Sequence, residues 1–412
     1  MKLHFLVVCA LWAVVEVGYA QTTKNITLHD AIALGLESNP SILQAIQEIR
    51  SAKGRVLQAG KIQNPEFGIS FNEVPSGYKV GSANEKDISI TQSFEYPAKR
   101  SGRISIATTD EQRAQASVEQ MKTRIAAGIK KAYVDAQYAV ISVQIIEQQI
   151  TMLRDFQQIV SNKYKTGESK YLDVLRIEIE TARLQNDLLG AKNNYVSMQT
   201  ILKNTIGDSA NILYTPMDSL TFSPISNNKD SLISSYIEQS HTRMLAEIKI
   251  KREENLLSLA RTNYYPDFGV GLAYQHRTPS NSFLGVEFKV SVPLWYWQEP
   301  QGLIEEASAQ LSIAELQMYS VKRKIRNNIN IALTTVLSTE QQVKNYEQIL
   351  QKGLSEIMDV ALSQYRNNQI DLLNLFDIYR TQRETRAEYI RSVANYQRAV
   401  ADLESAAELP IE

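Results

Sequence analysis

Side chains that could carry out catalysis or bind a metal are few in this sequence and widely separated. His29, His241 and His276 stand alone, and no group of histidines or methionines has the spacing of metal ligands. No nucleophile is paired with a base, and no phosphate-binding loop or pair of catalytic carboxylates stands out. The sequence therefore predicts a protein that is not an enzyme and that needs no metal and no other cofactor.

The only cysteine, Cys9, lies in an N-terminal segment that has the features of a secretory signal peptide. Lys2 precedes an apolar run over residues 6–15, and a small-residue cleavage site follows at residues 18–20. The run is too short to span a bilayer. Removal after Ala20 is expected, so the mature chain is exported and contains no disulfide and no thiolate site.

Two short turns with matching sequences, residues 164–175 and 365–376, are separated by about half the chain, which indicates an internal duplication. The equivalent residues are Tyr164 and Tyr365, Leu172 and Leu373, Asp173 and Asn374, and Tyr195 and Tyr396. The turn residues are Thr166, Gly167, Asn367 and Asn368, and both Gly and Asn tolerate positive φ. We expect the two turns to be the tips of two helical hairpins.

The duplication divides the chain into four parts. Residues 1–20 are the signal peptide, 21–206 the first repeat, 207–229 a linker and 230–412 the second repeat. Each repeat is expected to contain a helix, two strands and a helical hairpin. The charges nearly balance, with 44 Lys and Arg against 45 Asp and Glu, so nothing points to nucleic acid as a partner.

Four segments alternate apolar with small or polar residues, which is the period of a β-strand. Their apolar members are Phe67, Ile69 and Phe71; Ile88, Ile90, Phe94 and Tyr96; Phe268, Val270, Leu272 and Tyr274; and Leu284, Val286, Phe288, Val290 and Val292. Each segment has roughly the ten residues of a tilted transmembrane strand. Glu287 and Lys289 on the polar face suit a water-filled lumen. The alternative is a soluble sheet with one wet face.

Aromatic residues gather at the ends of these strands. They are Tyr96, Tyr264, Tyr265, Trp295, Tyr296 and Trp297. Transmembrane barrels place such a girdle of aromatic side chains at the lipid–water interface. The clustering favours the membrane over the soluble sheet and predicts outer-membrane lipid as a partner.

The remaining sequence is predicted to be helical. Residues 27–62 form a helix interrupted at Asn39 and Pro40. From Pro97 to the first turn a continuous helix would reach roughly 100 Å. Its apolar residues step by seven, as in a coiled coil: Val118, Ile125, Ala132, Ala139, Ile146, Leu153 and Val160. The return helix is expected to continue the seam with Leu175, Ala182, Leu189 and Val196.

Four membrane strands need partners. An open sheet edge leaves backbone groups unsatisfied in lipid, and the smallest single-chain bacterial barrels have about eight strands. Several copies must therefore share one barrel, with the long hairpins continuing the tube into the periplasm.

Further motifs recur around the strands in a fixed order. They are Asn64-Pro65-Glu66-Phe67 and Tyr265-Pro266-Asp267-Phe268 at the strand entries, and Phe94-Glu95-Tyr96-Pro97 and Ser291-Val292-Pro293-Leu294 at the exits. Together with the duplicated tips, they resemble the TolC-type outer-membrane efflux protein family over essentially the whole mature chain. Residues 94–100 further resemble the heavy-metal (cobalt–zinc–cadmium or copper) branch. Ala98 stands where that branch has glycine, and the N-terminal lipid anchor common in the branch is not expected here.

The resemblance implies a fold that is mainly α with a membrane β-barrel contribution. Each chain would supply two long coiled-coil hairpins and four transmembrane strands, and a homotrimer would form an α/β-barrel with twelve strands. The protein would sit in the outer membrane, with its helical barrel in the periplasm. It would be the exit duct of a tripartite pump, joined to a periplasmic adaptor (a membrane fusion protein) and an inner-membrane transporter.

The resemblance also implies a gate at the tips. Asp173, Asn374 and Asp377 occupy positions that resemble the acidic ring closing the periplasmic mouth in this family, with Arg176 adding a charge of opposite sign. The alternative role for these acids is a favourable interaction with a helix dipole. Thr166, Gly167, Asn367 and Asn368 would contact the adaptor.

The cargo is open at this point. Metal cations are favoured, and drugs or a secreted polypeptide are the alternatives. A protein of another class, a periplasmic coiled-coil adaptor, would have one hairpin and no lipid-facing strands, and the duplicated strand pairs argue against it.

Overall fold

The structure, a computed structural model, describes residues 22–74, 76–77, 83–210, 212–225, 235–279, 281–354 and 356–408. The predicted signal peptide lies outside the described residues, as do residues 211 and 226–229 of the predicted linker. The described chain is mainly helical and contains two sheets.

The N-terminal part folds as β1 (Thr22–Ile26), α1 (Leu28–Ser38) and α2 (Pro40–Ala59). The predicted interruption between the helices is confirmed. Asn39 Oδ1 accepts a hydrogen bond from the Ser41 N–H at 2.9 Å, and Pro40 takes the first helical position, where its missing N–H costs nothing. β1 was not predicted. It pairs in parallel with β4 (Ile212–Pro216), which lies within the predicted linker.

Four longer strands form one antiparallel sheet in the order β2-β3-β5-β6. They are β2 (Glu66–Asn72), β3 (Glu85–Phe94), β5 (Asp267–Arg277) and β6 (Asn281–Ser291). The four predicted strands are thus confirmed as strands. β2 and β3 come from the first repeat and β5 and β6 from the second, so the β3–β5 pairing joins the two repeats.

The strand register gives the sheet one apolar and one polar face. Along one row, the residues side by side are Phe67, Ile90, Leu272 and Val286. This face is open to the surroundings, since Phe67 is 77% and Val286 59% exposed. On the other face Lys289 and Glu287 form an ion pair at 3.1 Å. An apolar face of this extent marks an interaction surface rather than a wetted one.

Two long helical hairpins leave the sheet, the first made of α3 (Pro97–Lys165) and α4 (Tyr171–Ile206). The second consists of α6 (Glu299–Ile349), α7 (Ile357–Arg366) and α8 (Leu372–Ala407), and α5 (His241–Thr262) packs beside α3 and α6. The 69 residues of α3 confirm the predicted continuous helix, which is about 100 Å long. Among the described residues, no helix combines the length and the apolar character needed to cross a membrane.

The two hairpins differ in their outgoing arms. A π-helix, Leu350–Leu354, separates α6 from α7, whereas the equivalent stretch of α3 is uninterrupted. Gly353 within it has a φ of +95°, a backbone conformation that favours glycine. The outgoing arm of the second hairpin is therefore in two pieces.

The predicted coiled-coil seam is confirmed on α3 and is wrong in register on α4. All seven predicted α3 residues are buried or half-buried. On α4, however, Leu189 and Val196 are 63% and 48% exposed, while Ile177 and Leu184 are buried against the other helices. Apolar residues recur every seven positions on both faces of α4, so spacing alone did not identify the face that meets α3.

Two similar junctions follow the returning helices of the hairpins. After α4 and α8, Gly207 and Glu408 both have left-handed φ, +83° and +50°. In the first junction, Asn39 Nδ2 donates to the Thr205 carbonyl at 3.0 Å. In the second, the Glu408 carboxylate accepts from Ser240 Oγ at 2.6 Å and from the Thr242 N–H at 2.8 Å. Each contact ties the end of a repeat to the helix that precedes its sheet strands.

We expect Glu408→Gln to destabilise the protein near neutral pH. Burial works to raise the pKa of Glu408, but hydrogen bonds from Ser240, Thr242 and Gln120 outweigh it and hold the pKa below its ordinary value. A carboxyl with a depressed folded-state pKa stabilises the fold above the unfolded-state pKa, and that contribution is lost as the pH falls through the folded-state pKa. The variant should lose about 1–3 kcal/mol of unfolding free energy at neutral pH.

Unfolding followed by circular dichroism at neutral pH and at about pH 4 tests this, because the difference from the natural chain should shrink in acid. Glu315→Gln, at an exposed site on α6, is the control and should change neither value. An equal loss at both pH values would contradict the assignment.

Candidate functional site

The two hairpin tips touch one another within a single chain. The Lys163 ammonium donates a hydrogen bond to Asn368 Oδ1 and lies 3.5 Å from Glu168 Oε2. Asn368 Nδ2 in turn donates to Glu168 Oε2 at 3.5 Å. We call these three side chains, Lys163, Glu168 and Asn368, the tip clamp. It joins the end of α3 to the turn between α7 and α8.

The backbone of each turn explains which residues stand there. Gly167 and Asn368 are equivalent in the duplication, and both have left-handed φ, +79° and +58°. The prediction that Gly and Asn supply positive φ in these turns is therefore confirmed. Thr166 Oγ1 donates to the Lys163 carbonyl at 3.0 Å and closes the end of α3. Thr166, Gly167, Asn367 and Asn368 are all exposed, as a contact site for an adaptor requires.

The negative charge of the Glu168 carboxylate in the tip clamp is stabilised by hydrogen bonds and by Lys163. The hydrogen bond from Asn368, followed by those from Thr166 and the positive charge of Lys163, lowers the pKa of Glu168. The Lys163 ammonium also lies 5.2 Å from the centre of the Tyr365 ring, within range of a cation–π contact. Burial raises the pKa of the Tyr365 phenol, so it stays neutral.

An apolar core lies directly behind the tips and joins both hairpins; we call it the lower core. Its buried members are Ile150, Leu153, Phe156, Val160, Ile177 and Leu184 from the first hairpin, and Met358, Ala361, Tyr365, Leu372, Leu375 and Tyr379 from the second. Because its buried members come from both hairpins, the two hairpins bury this apolar surface together. Any separation of the tips must open the lower core.

The three gate candidates have different environments. Asp173 is half-buried and caps α4, since its Oδ2 accepts from Ser169 Oγ at 2.9 Å and from the Lys170 N–H at 3.2 Å. At the second tip that capping role belongs to Asp371, whose Oδ1 accepts from the Asn374 N–H at 2.9 Å. Asn374 itself is exposed.

Asp377 is exposed at the second tip. Its side chain is 71% exposed and lies 3.4 Å from Arg380, one turn further along α8. An exposed ion pair of this kind is weak, so the carboxylate remains available to a cation or to another chain. Lys163 and Glu168 were not singled out from the sequence, because charged residues are common at helix ends and only the fold brings them to Asn368.

The six predicted interface aromatics meet where the sheet joins the helices. Tyr96 stacks on Tyr265 with ring centres 4.3 Å apart, and Tyr296 lies 5.2 Å from Trp297 and 6.2 Å from Tyr264. Trp295 is 63% exposed. The structure therefore gathers all six at one end of the sheet. Within the described residues, no group of three or more His, Cys, Asp or Glu side chains is arranged to hold a metal ion.

We expect Asn368→Gly to loosen the contact between the tips. Glycine keeps the left-handed backbone but removes the side chain that bridges Lys163 and Glu168. Spin labels on cysteines at positions 165 and 366 should then show a broader and longer distance distribution. Asn367→Gly is the matched control, because Asn367 has a φ of −89° and the side chain that bridges Lys163 and Glu168 belongs to Asn368. Equal broadening in both variants would show that the clamp does not hold the tips.

The chain is similar in sequence to known outer-membrane efflux and metal-resistance proteins. Residues 31–208 match the family model described as outer membrane efflux protein. The chain is 22% identical over 378 residues to the cobalt-zinc-cadmium resistance protein CzcC of Cupriavidus metallidurans, covering 92% of this chain and 89% of that protein. It is 21% identical to the nickel-cobalt-cadmium resistance protein NccC of Alcaligenes xylosoxydans xylosoxydans, covering 77% and 71%.

Solved structures share the fold at low sequence identity. A crystal structure of CusC, described in terms of folding and transmembrane channel formation, superposes with a TM-score of 0.77 at 13% identity, covering 95% of this chain and 94% of that one. The outer membrane protein VceC of Vibrio cholerae superposes with a TM-score of 0.72 at 15% identity, covering 92% and 95%. The predicted resemblance is thereby confirmed: residues 31–208 match the outer membrane efflux proteins, a family of transport ducts and not of enzymes, and the chain has the fold of solved outer-membrane channels.

Proposed function

We propose that the chain is the outer-membrane exit duct of a tripartite efflux pump. The observation that carries this proposal is the combination of one four-stranded sheet, apolar and exposed on one face, with hairpins about 100 Å long. The apolar face suits lipid, and the polar face, with its Glu287–Lys289 pair, suits a wet lumen. The aromatic cluster at the sheet end suits the membrane interface.

A trimer is the assembly that we propose. β2 and β6 are the outer strands of the sheet, and each presents one edge of unpaired backbone groups within the described residues. In lipid these edges must be paired, and pairing β6 of one copy with β2 of the next satisfies both. Three copies would close a barrel of twelve strands. We further propose that the chain consists of a signal peptide at residues 1–20, a first repeat at 21–206, a linker at 207–229 and a second repeat at 230–412.

The transport step needs no chemistry in the channel itself. Substrate would pass from periplasm to exterior along the shared lumen, with energy supplied by an inner-membrane transporter through a periplasmic adaptor. The exposed tips, at Thr166, Gly167, Asn367 and Asn368, are the ends furthest from the sheet and hence the proposed contact with the adaptor. An adaptor role for this chain itself is disfavoured, because both strand pairs belong to one sheet with an apolar face.

Metal cations are the cargo that we favour. Two relatives, matched over most of the chain, are named for resistance to cobalt, zinc, cadmium and nickel. Residues 94–100, which resemble the heavy-metal branch, lie at the junction of β3 and α3, where Arg103 and Glu95 form an ion pair. Drugs or a secreted polypeptide remain the second candidate, supported by the breadth of channels that share the fold.

We expect removal of the protein from its host to increase sensitivity to cobalt, zinc and cadmium salts by several fold, without a matching change for hydrophobic drugs. Growth inhibition in the deleted and complemented strains measures this. Recovery of the complementing chain in the outer-membrane fraction is the control for its location. Increased sensitivity to drugs alone would exclude metal as the cargo, and recovery in the soluble periplasm would exclude the duct.

The gate is tested by Asp377→Asn and Asp173→Asn. In a trimer, three Asp377 carboxylates near one axis would attract divalent cations, which would then block the current. Asp377→Asn should therefore weaken cation block in planar bilayers while leaving thermal stability unchanged. Asp173→Asn should also lower stability, because Asp173 caps α4. Unchanged cation block in both variants would remove the two residues from the gate.

A further inference from the structure

The lower core contains one polar group without a partner. Tyr379 is 2% exposed, and its ring packs edge-on against Phe156 at 6.0 Å and Phe376 at 6.4 Å between ring centres. Its hydroxyl oxygen makes no hydrogen bond within the described residues. The nearby charged groups, Arg383 and Glu180, bond to each other at 3.2 Å instead. A buried hydroxyl that has lost water without gaining a partner destabilises the state in which it is buried.

The second buried tyrosine of the same core provides the contrast. Tyr365 is 6% exposed, yet its hydroxyl is not both buried and unpaired, and its ring meets the Lys163 ammonium. Of the two buried tyrosines of the lower core, only Tyr379 therefore has a hydroxyl that is both buried and unpaired. The unsatisfied group sits at one place, on α8, where it faces the first hairpin through Phe156.

The segment that completes this core is connected to the rest of its arm through a π-helix. α7 contributes Met358, Ala361 and Tyr365 to the core, but the π-helix at Leu350–Leu354 disconnects it from α6. A Cβ added at Gly353 would meet no atom within 4 Å, so the π-helix is loosely surrounded there. Single π-helical turns inside α-helices are frequent at functional sites. The uninterrupted α3 has no such joint.

The hairpins remain attached above this level. α3 and α8 are joined by the ion pairs Lys130–Glu404, at 2.7 Å, and Lys131–Asp402, and by the hydrogen bond from Arg398 to Asp135. These contacts lie far along both helices from the tips. Motion about the π-helix would leave them intact.

We propose that Tyr379 and the π-helix Leu350–Leu354 form a release device, in which residues 357–379 separate from the first hairpin as a unit and the Tyr379 hydroxyl becomes hydrated. The joined state carries the cost of the unpaired hydroxyl, and the separated state does not. The unpaired hydroxyl thereby makes the free-energy difference between the joined and separated states smaller than it would be with an all-apolar core. This inference rests on the proposed function as an exit duct and names what regulates its tips.

Hydrogen exchange followed by mass spectrometry on the full-length chain in detergent tests the device, because exchange detects an open state that is rarely populated. Peptides covering residues 357–366 should exchange faster than those covering the equivalent residues 156–165. Tyr379→Phe removes only the unpaired hydroxyl and should slow exchange of 357–366 by about tenfold. Tyr365→Phe, the matched control, removes the hydroxyl of the other buried tyrosine, which is not both buried and unpaired, and should not slow it.

Two results would overturn the proposal: equal exchange of the two segments in the natural chain, or unchanged or faster exchange of 357–366 in Tyr379→Phe. Thermal unfolding provides a second measure, since Tyr379→Phe should raise the melting temperature, and a lower one would also overturn it. Conductance in planar bilayers is recorded in parallel. If the chain shows the exchange difference but conducts no current, the release device is supported and the proposed duct is wrong. If the chain conducts but shows no exchange difference, only the release device is wrong.

Discussion

The pairing of β3 with β5 is the contact on which the rest of the structure depends. These strands belong to different repeats, and their register runs from Glu85 opposite Arg277 to Phe94 opposite Phe268. The pairing turns two strand hairpins into one sheet and fixes where each long helical hairpin begins. Once α3 starts from the end of β3 and α6 follows β6, both hairpins must run side by side. The position of two tips about 100 Å away is thus set by backbone hydrogen bonds at the sheet.

Different forces hold the hairpins together along their length. Midway along α3, partly buried ion pairs such as Lys130–Glu404 join α3 and α8. Such pairs contribute little to stability individually, and their main effect is to select one register between the helices. Near the tips the hairpins are joined by the lower core, and burial of its apolar side chains provides most of the stabilisation there. The tip clamp adds a directional contact at the far end, where little apolar surface remains.

The two helical hairpins are similar but unequal. Gly167 and Asn368 serve the same left-handed position, but only Asn368 has a side chain that can bridge to the other tip. Asp173 caps its own helix, whereas Asp371 has that task in the second hairpin. The π-helix interrupts only the second arm. The first hairpin is therefore suited to be the rigid support and the second to be the part that moves.

The sequence alone determined the four strands, the length of α3 and the turn conformations, because each follows from local periodicity or from the φ preferences of Gly and Asn. Periodicity did not decide which face of α4 meets its neighbours, since Leu189 and Ile177 belong to equally regular rows. The short strands β1 and β4 escaped notice because five residues show no clear period. The tip clamp and the unpaired Tyr379 hydroxyl depend on residues some two hundred positions apart or on the absence of a partner in three dimensions. Only the tertiary structure could decide them, because hydrogen bonds and burial are properties of neighbours in space and not of neighbours along the chain.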